Sequence, residues 1–273
     1  SVQQTNDGGY IITGKAAFNL TGDLVLIKAD AVGNILWETF GGPKDDAGYS
    51  VEQTSDGGYI IAGETQSYGS GGKDVWLIKT DSMGNKTWDR TFGGSDDDVG
   101  KSVHQTNDGG YIIAGSTNYN NKKNKGAYIW LIKTDSKGNK VWDRTFGESA
   151  SAWAESAQQT GDGGYIITGV TQSHDSTMDL NICLIKTDSN GKMEWDRTFG
   201  GSDDDWGKSV QQTSDSGYII SGMTFSYGSG GSDAWLIKTD SLGNEEWNKT
   251  FGGSDSDWGY SAQQTSDGGY IIT

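Results

Sequence analysis

Apolar and polar positions in this chain change over every few residues. Each apolar run is short and ends in Gly, Asp, Asn or Ser. Residues 50–102 show the pattern. Ser50–Thr54 reads as a short strand, A. Ser55-Asp56-Gly57-Gly58 reads as a turn, since Gly supplies positive φ and Asp bonds its own backbone two residues on. Tyr59–Gly63 is strand B, rich in aromatic and β-branched residues. Gln66–Lys73 is a Gly/Ser loop, and Val75–Thr80 is strand C. A second hairpin turn, Asp81-Ser82-Met83-Gly84-Asn85, leads into strand D, Lys86–Phe92. Strands B and C are apolar on both faces, as expected of a sheet packed between neighbouring sheets. In strand D, Trp88 and Phe92 lie four apart and share a face, which predicts that the Trp packs across to the next sheet. No helical periodicity occurs.

The same unit returns along the whole chain. Tyr10, Tyr59, Tyr111, Tyr165, Tyr218 and Tyr270 sit in one Asp-Gly-Gly-Tyr-Ile-Ile string or a one-residue variant of it, at spacings of 49, 52, 54, 53 and 52 residues. Trp37, Trp88, Trp142, Trp195 and Trp247 keep step with them. Four short antiparallel strands per repeat of about 52 residues predict an all-β β-propeller of four-stranded blades. Helix-bearing solenoids use shorter units, and a parallel β-helix has no need of Asp-Gly-Gly hairpins. The repeats fall at about 1–49, 50–101, 102–155, 156–208 and 209–260, with a partial one at 261–273, all in a single domain. Five complete units plus a half favour a six-bladed ring over a five- or seven-bladed one. An unfinished last unit also predicts a longer parent chain or an intermolecular contact at Tyr270-Ile271-Ile272.

Within this frame, Asp135-Ser136-Lys137-Gly138-Asn139-Lys140-Val141-Trp142 resembles the Asp-x-x-Gly-x-x-x-Trp docking motif of PQQ-type propellers. The complete unit more closely resembles tandem repeats common in secreted and cell-surface proteins of archaea and bacteria. The resemblance spans essentially the whole chain and implies an extracellular or cell-surface location. Nothing matches the quinone ligands of the PQQ dehydrogenases, so it carries over no activity.

Composition narrows the classes of function. Gly is 43 of 273 residues and Pro occurs once, which suits many tight turns. A net charge of −16 excludes a nucleic-acid partner, which needs a basic face, and disfavours anionic membranes. No apolar run approaches the roughly 20 residues needed to span a bilayer, so membrane insertion is not expected. Arg90, Arg144 and Arg197 share one repeat position, which predicts an architectural role. Cys183 stands where other repeats carry Trp76, Trp130 or Trp235 and reads as a small buried residue.

The topology sorts the connections into a uniform face (A–B and C–D turns) and a variable face (B–C and D–A loops). Variable loops on a rigid scaffold are where binding usually resides. The B–C loops carry Phe18, Tyr68, Tyr119, His174 and Tyr227 at one place, rings that could stack on a glycan, anchor a protein partner, or cover the blade ends. Near the D–A loops lie Trp153, Trp206 and Trp258, further candidates for ligand binding. Asp96, Asp97, Asp98, Asp203, Asp204 and Asp205 are hard oxygen ligands of the kind calcium takes, although none fits an EF-hand loop and a solvated charge run explains them as well. The third loop, Ser149-Ala150-Ser151-Ala152-Trp153, has no Asp. Asn19, Asn85 and Asn248 head glycosylation sequons.

His104 and His174 stand in different repeats, and no Ser-His-Asp set, zinc cluster or phosphate loop is visible. Acids shared by every repeat also make a poor hydrolase signature, because an active site usually breaks a repeat. The expectation is a non-enzyme without a required cofactor: a structural or scaffold component that associates with itself or with a cell-surface partner. The alternative is a glycan- or protein-binding module.

Overall fold

The computed structural model describes residues 1–18, 21–119, 126–147, 151–172 and 179–273. Among them there is no helix, and the strands group into five four-stranded antiparallel sheets and one two-stranded hairpin. The first sheet holds β1 (Val2–Gln4), β2 (Tyr10–Phe18), β3 (Thr21–Ala29) and β4 (Ile35–Phe40). The second holds β5 (Asp46–Gln53), β6 (Tyr59–Thr65), β7 (Asp74–Thr80) and β8 (Lys86–Phe92). The third holds β9 (Asp97–Gln105), β10 (Tyr111–Tyr119), β11 (Tyr128–Thr134) and β12 (Lys140–Phe146). The fourth holds β13 (Ala152–Gln159), β14 (Tyr165–Gln172), β15 (Leu180–Thr187) and β16 (Met193–Phe199). The fifth holds β17 (Asp205–Gln212), β18 (Tyr218–Thr224), β19 (Asp233–Thr239) and β20 (Glu245–Phe251). The hairpin is β21 (Ala262–Gln264) and β22 (Tyr270–Ile272). In every sheet each strand pairs with its sequence neighbour, the A-B-C-D order expected from the repeat. The chain divides into two compact units, Ser1–Asp143 and Arg144–Thr273.

The two turns of each repeat explain its fixed residues. In the A–B turn the Thr54 amide donates to the Gly58 carbonyl at 2.9 Å, and Asp56 Oδ1 accepts the Gly58 amide at 3.0 Å and the Thr54 hydroxyl at 2.6 Å. The residue between them, Gly57, has φ +83°. In the fifth sheet Ser216 holds this place at φ +69°, where a side chain is strained. Ser216→Gly is therefore expected to raise stability by about 1 kcal/mol in a denaturant titration.

Strand A runs longer than its sequence suggests. β5 begins at Asp46 and β9 at Asp97, because β5, β9, β13 and β17 each carry a bulge, as between Gly48 and Ser50 or Ala154 and Ser156, and resume pairing beyond it. The Asp residues read as loop thus open a strand.

Strands β6 and β7 are buried along their whole length, as their apolar pattern requires. Sheets pack face to face within each unit. Ile60, Leu77, Val103, Ile113 and Trp130 share a core with Trp88 and Phe92 at its rim, and Ile166, Leu184, Val210, Ile220 and Trp235 do the same with Trp195. The strand D Trp crosses to the next sheet as expected: the Trp88 ring lies 5.8 Å from that of Tyr111, and Trp195 lies 5.8 Å from Tyr218. Arg90 donates to the Lys137 carbonyl at 3.0 Å and Arg197 to the Leu242 carbonyl at 2.8 Å, so both arginines tie one sheet to the next. Cys183 is buried, and burial pushes its thiol up to about 12.

Candidate functional site

The B–C loops stand on the ends of strands B and C. In the second sheet the amides of Ser67 and Tyr68 donate to Thr65 Oγ1, and in the fifth those of Ser226 and Tyr227 donate to Thr224 Oγ1. This common turn lays the Tyr68 ring 5.2 Å from Trp76 and the Tyr227 ring 5.2 Å from Trp235. The rings remain 43% and 47% exposed, and the Tyr227 hydroxyl donates to the Gly200 carbonyl at 3.0 Å. Both tyrosines therefore cover the end of a buried strand C Trp while leaving about half of each side chain open. The side chains of Phe18 and Tyr119, and all of Asn19 and His174, lie outside the described residues.

A different aromatic series stands near the start of strand A, in the strand up to Trp206 and ahead of β21 at Trp258. At one position the successive repeats carry Ala47, Val99, Trp153, Trp206 and Trp258. Ala47 and Val99 are buried. In the second unit Trp153 meets Trp206 edge to face at 5.8 Å, and Trp258 is 52% exposed. Lys208 Nζ lies 4.9 Å from the Trp206 ring and 3.2 Å from Glu155. This is the place where large side chains depart most from the common repeat.

The acidic loop residues are ties between loops. Asp97 Oδ1 accepts the Lys73 amide, and Asp204 Oδ1 accepts the Leu180 amide. Asp98 is buried and accepts the Gly94 and Asn118 amides, while the equivalent Asp205 accepts the Gly201 amide and the Ser226 hydroxyl. Asp203 stays exposed and Asp96 half-buried. Among the described residues no group of three or more His, Cys, Asp or Glu side chains gathers to hold a metal ion. Asn85 and Asn248 are exposed, and their carboxamides donate to Asp81 and Glu245. His104 Nδ1 lies 3.2 Å from Glu52, an inter-strand contact.

The opposite, uniform face holds what the sequence reading missed. Each strand C contains one Lys in an otherwise apolar run: Lys28, Lys79, Lys133, Lys186 and Lys238, all buried. Each ammonium meets the A–B turn Asp of its own sheet, at 3.0, 3.0, 2.9, 2.8 and 2.9 Å for Asp7, Asp56, Asp108, Asp162 and Asp215. It also donates to the carbonyl of the next residue, as Lys79 does to Thr80 at 2.8 Å. A buried Lys needs such partners to stay charged. The signal was there to read: a charged residue at a fixed place in every buried strand.

A second device caps strand A, whose outer edge would otherwise expose unpaired amides. The Gln53 amide donates to Gln3 Oε1 at 2.7 Å, Gln105 to Glu52 Oε2 at 3.0 Å, Gln212 to Gln158 Oε1 at 2.9 Å and Gln264 to Gln211 Oε1 at 3.0 Å. The Gln-Gln-Thr string of the repeat thus joins one A strand to the next.

The turn acids bear on pH. At Asp56 and Asp108, burial raises the carboxyl, but bonds from the neighbouring Thr, Lys and Gly amide outweigh it and hold each at about 2. At Asp162 burial is likewise outweighed, by Lys186, Thr160 and Gly164. At Asp215 the Thr213 hydroxyl and Lys238 lead. Each folded value lies below the ordinary 3.8, so the stability these groups contribute is complete above about pH 4 and lost as pH falls toward 2. Burial pushes Asp74 and Asp98 the other way, and each feels a neighbouring carboxylate, so their contribution weakens as pH rises through their elevated values. Four turn acids outnumber this pair. A pH series of urea melts is expected to show stability falling steeply below pH 4, and a flat profile down to pH 2 would contradict the ion pairs.

No protein-family model matches the chain, and no curated protein matches it. Among solved structures it is similar to a protein of unknown function from Bacteroides caccae, at 11% identity over 92% of this chain and 97% of that chain, with a TM-score of 0.41.

Proposed function

We propose that this chain is part of a β-propeller of cell-surface type, resembling PQQ-type repeats in its Asp-x-x-Gly-x-x-x-Trp motif, and that it serves as a non-enzymatic scaffold in an extracellular assembly. The observation that carries this reading is the repetition of the joints. The Trp–Tyr contact, the Gln–amide link and the Lys–Asp pair recur with nearly the same geometry. Identical joints make a stiff body from stacked sheets, each repeat stabilised by its neighbours. The net charge of −16 suits a soluble surface component. Sedimentation and electron microscopy of the purified chain test the proposal: ordered sheets or fibres are expected, and a dispersed monomer at every concentration would count against it.

A second reading, a glycan- or protein-binding module on the B–C/D–A loop face, is favoured by one observation. Trp153 and Trp206 stand where Ala47 and Val99 stand in the first unit and bring a half-buried aromatic pair into the second. Saturable binding by a monomer, lost in Trp206→Ala, would select it.

A further inference from the structure

The C–D turn of the fourth sheet departs from the others at one residue. In the first, second, third and fifth sheets the turn ends in Asn34, Asn85, Asn139 and Asn244, each one place after the turn Gly, and each carboxamide donates to the turn Asp at 2.8–2.9 Å. The fourth sheet has Lys192 there, and its Asn stands one place before the Gly, as Asn190-Gly191. No other Asn-Gly step occurs in the chain. The position before the turn Gly faces solvent in every sheet: Val32 is 82% exposed, Met83 67% and Leu242 58%, and Lys137 and Asn190 are exposed as well.

We propose that Asn190 is a self-modifying position, where the Gly191 backbone nitrogen attacks the Asn190 carboxamide, converts it to aspartyl and isoaspartyl products, and so loosens this hairpin. The step needs no oxidant, reductant or enzyme. The Gly191 amide gives up its proton to hydroxide, and its nitrogen bonds to Asn190 Cγ. The carboxamide nitrogen takes a proton from water, which restores the hydroxide, and leaves as ammonia. Water then opens the cyclic imide. Breaking the bond to Cγ gives an ordinary aspartyl residue. Breaking the bond to the main-chain carbonyl carbon gives an isoaspartyl one, whose backbone runs through Cβ and Cγ.

Gly191 carries no Cβ to obstruct the attack. The folded turn restrains it, because the Gly191 amide donates to the Asp188 carbonyl at 3.1 Å. That bond is longer than its equivalents in the A–B turns, 2.8 Å at Gly57 and Gly163, and it closes the exposed corner of Ser189 and Asn190, so brief local opening sets the rate. The A–B turns offer a comparable Asp-Gly step, but there the side chain is already held. Asp56 is ionised and paired with Lys79, and its Oδ1 accepts the Gly58 amide, so it is a poor target for a nitrogen.

The products alter the turn. Asp188 Oδ1 accepts the amides of Asn190 and Lys192 at 2.8 and 2.9 Å, and the Asp188 amide donates to the Lys192 carbonyl at 2.9 Å. Both products add a negative charge close to Asp188. The isoaspartyl product also lengthens the backbone inside this closed set of bonds, beside the irregular Thr187–Met193 pairing of β15 and β16.

The test uses the whole folded chain, held at physiological temperature at neutral and at mildly alkaline pH and sampled over weeks by tryptic peptide mapping. The peptide Thr187–Lys192 is expected to gain the mass difference between an amide and an acid and to resolve into two products, faster at the alkaline pH. Peptides holding Asn34, Asn85, Asn139 and Asn244 should stay unchanged. Asn190→Leu copies the fifth sheet and should keep its Tm through the same incubation, while the Tm of the unsubstituted chain falls as conversion proceeds. Conversion in the urea-unfolded chain but none in the folded one would overturn the proposal, because the fold would then shield the step. Equal conversion at the four other turn asparagines would overturn it too, and so would an unchanged Tm in the converted chain. The scaffold reading is tested separately, by assembly.

Discussion

Replacing Gly115 with alanine is expected to destabilise the first unit by roughly 3 kcal/mol or more, at or above the upper end of the range for overpacking. An added Cβ would lie 1.9 Å from the Val99 carbonyl oxygen and 3.0 Å from Gly100 Cα. Both obstacles are backbone, and they belong to the A-strand bulge that faces β10. No side chain can turn aside, so the bulge itself must move, and with it the pairing that sets strand A. Gly63 meets the same obstacle at Ala47, and Gly222 at Trp206, so the effect should reproduce in other sheets. Gly94→Ala is the control: a Cβ there meets nothing within 4 Å, and the amide that Asp98 accepts is retained. Urea midpoints of the two variants check the prediction, and equal losses would contradict it.

The second large effect is expected at Trp76. Its ring is 2% exposed, packs under Tyr68, and donates its indole N–H to Asp89 at 3.0 Å. Trp76→Ala should cost about 4 kcal/mol, within the range for emptying a large aromatic site, and it leaves Asp89 with Lys86 but without the indole donor. Trp88→Ala should cost less, about 3 kcal/mol, because Trp88 is only half-buried at the rim of its core. The repeat drew attention to the strand D tryptophans, which recur without exception. The strand C tryptophans matter more to stability because both faces of that strand are covered. Thermal or urea melts of the two variants rank them, and a larger loss at Trp88 would show that the rim, not the centre, holds adjacent sheets together.

Much of the fold could be read from local chemistry. Asp56-Gly57-Gly58 demands a tight turn, and Tyr59-Ile60-Ile61 demands a strand, whatever lies around them. Such demands, restated at a fixed spacing, account for the order of strands within every sheet. The site was less legible. Tyr68 and Tyr227 look like free platforms in sequence, but each leans on a Trp several residues away that only strand pairing brings beneath it. Asp98 and Asp205 look like solvated loop charges, but strand A begins at or before them and buries them against the loop amides.

The sequence by itself determined the all-β class, the repeat, the hairpin turns and the apolar faces, because each depends on residues within one hairpin of one another. The tertiary structure decided the rest. Lys79 and Asp56 are separated by a whole hairpin, Gln53 and Gln3 by a whole repeat, and Trp88 and Tyr111 belong to different sheets. No local pattern records such pairings. They arise only when sheets stack, and stacking is driven by apolar burial that has no direction of its own. Which polar groups end up paired at the edges of that burial, as Lys79 does with Asp56, follows from the register in which the sheets come to rest.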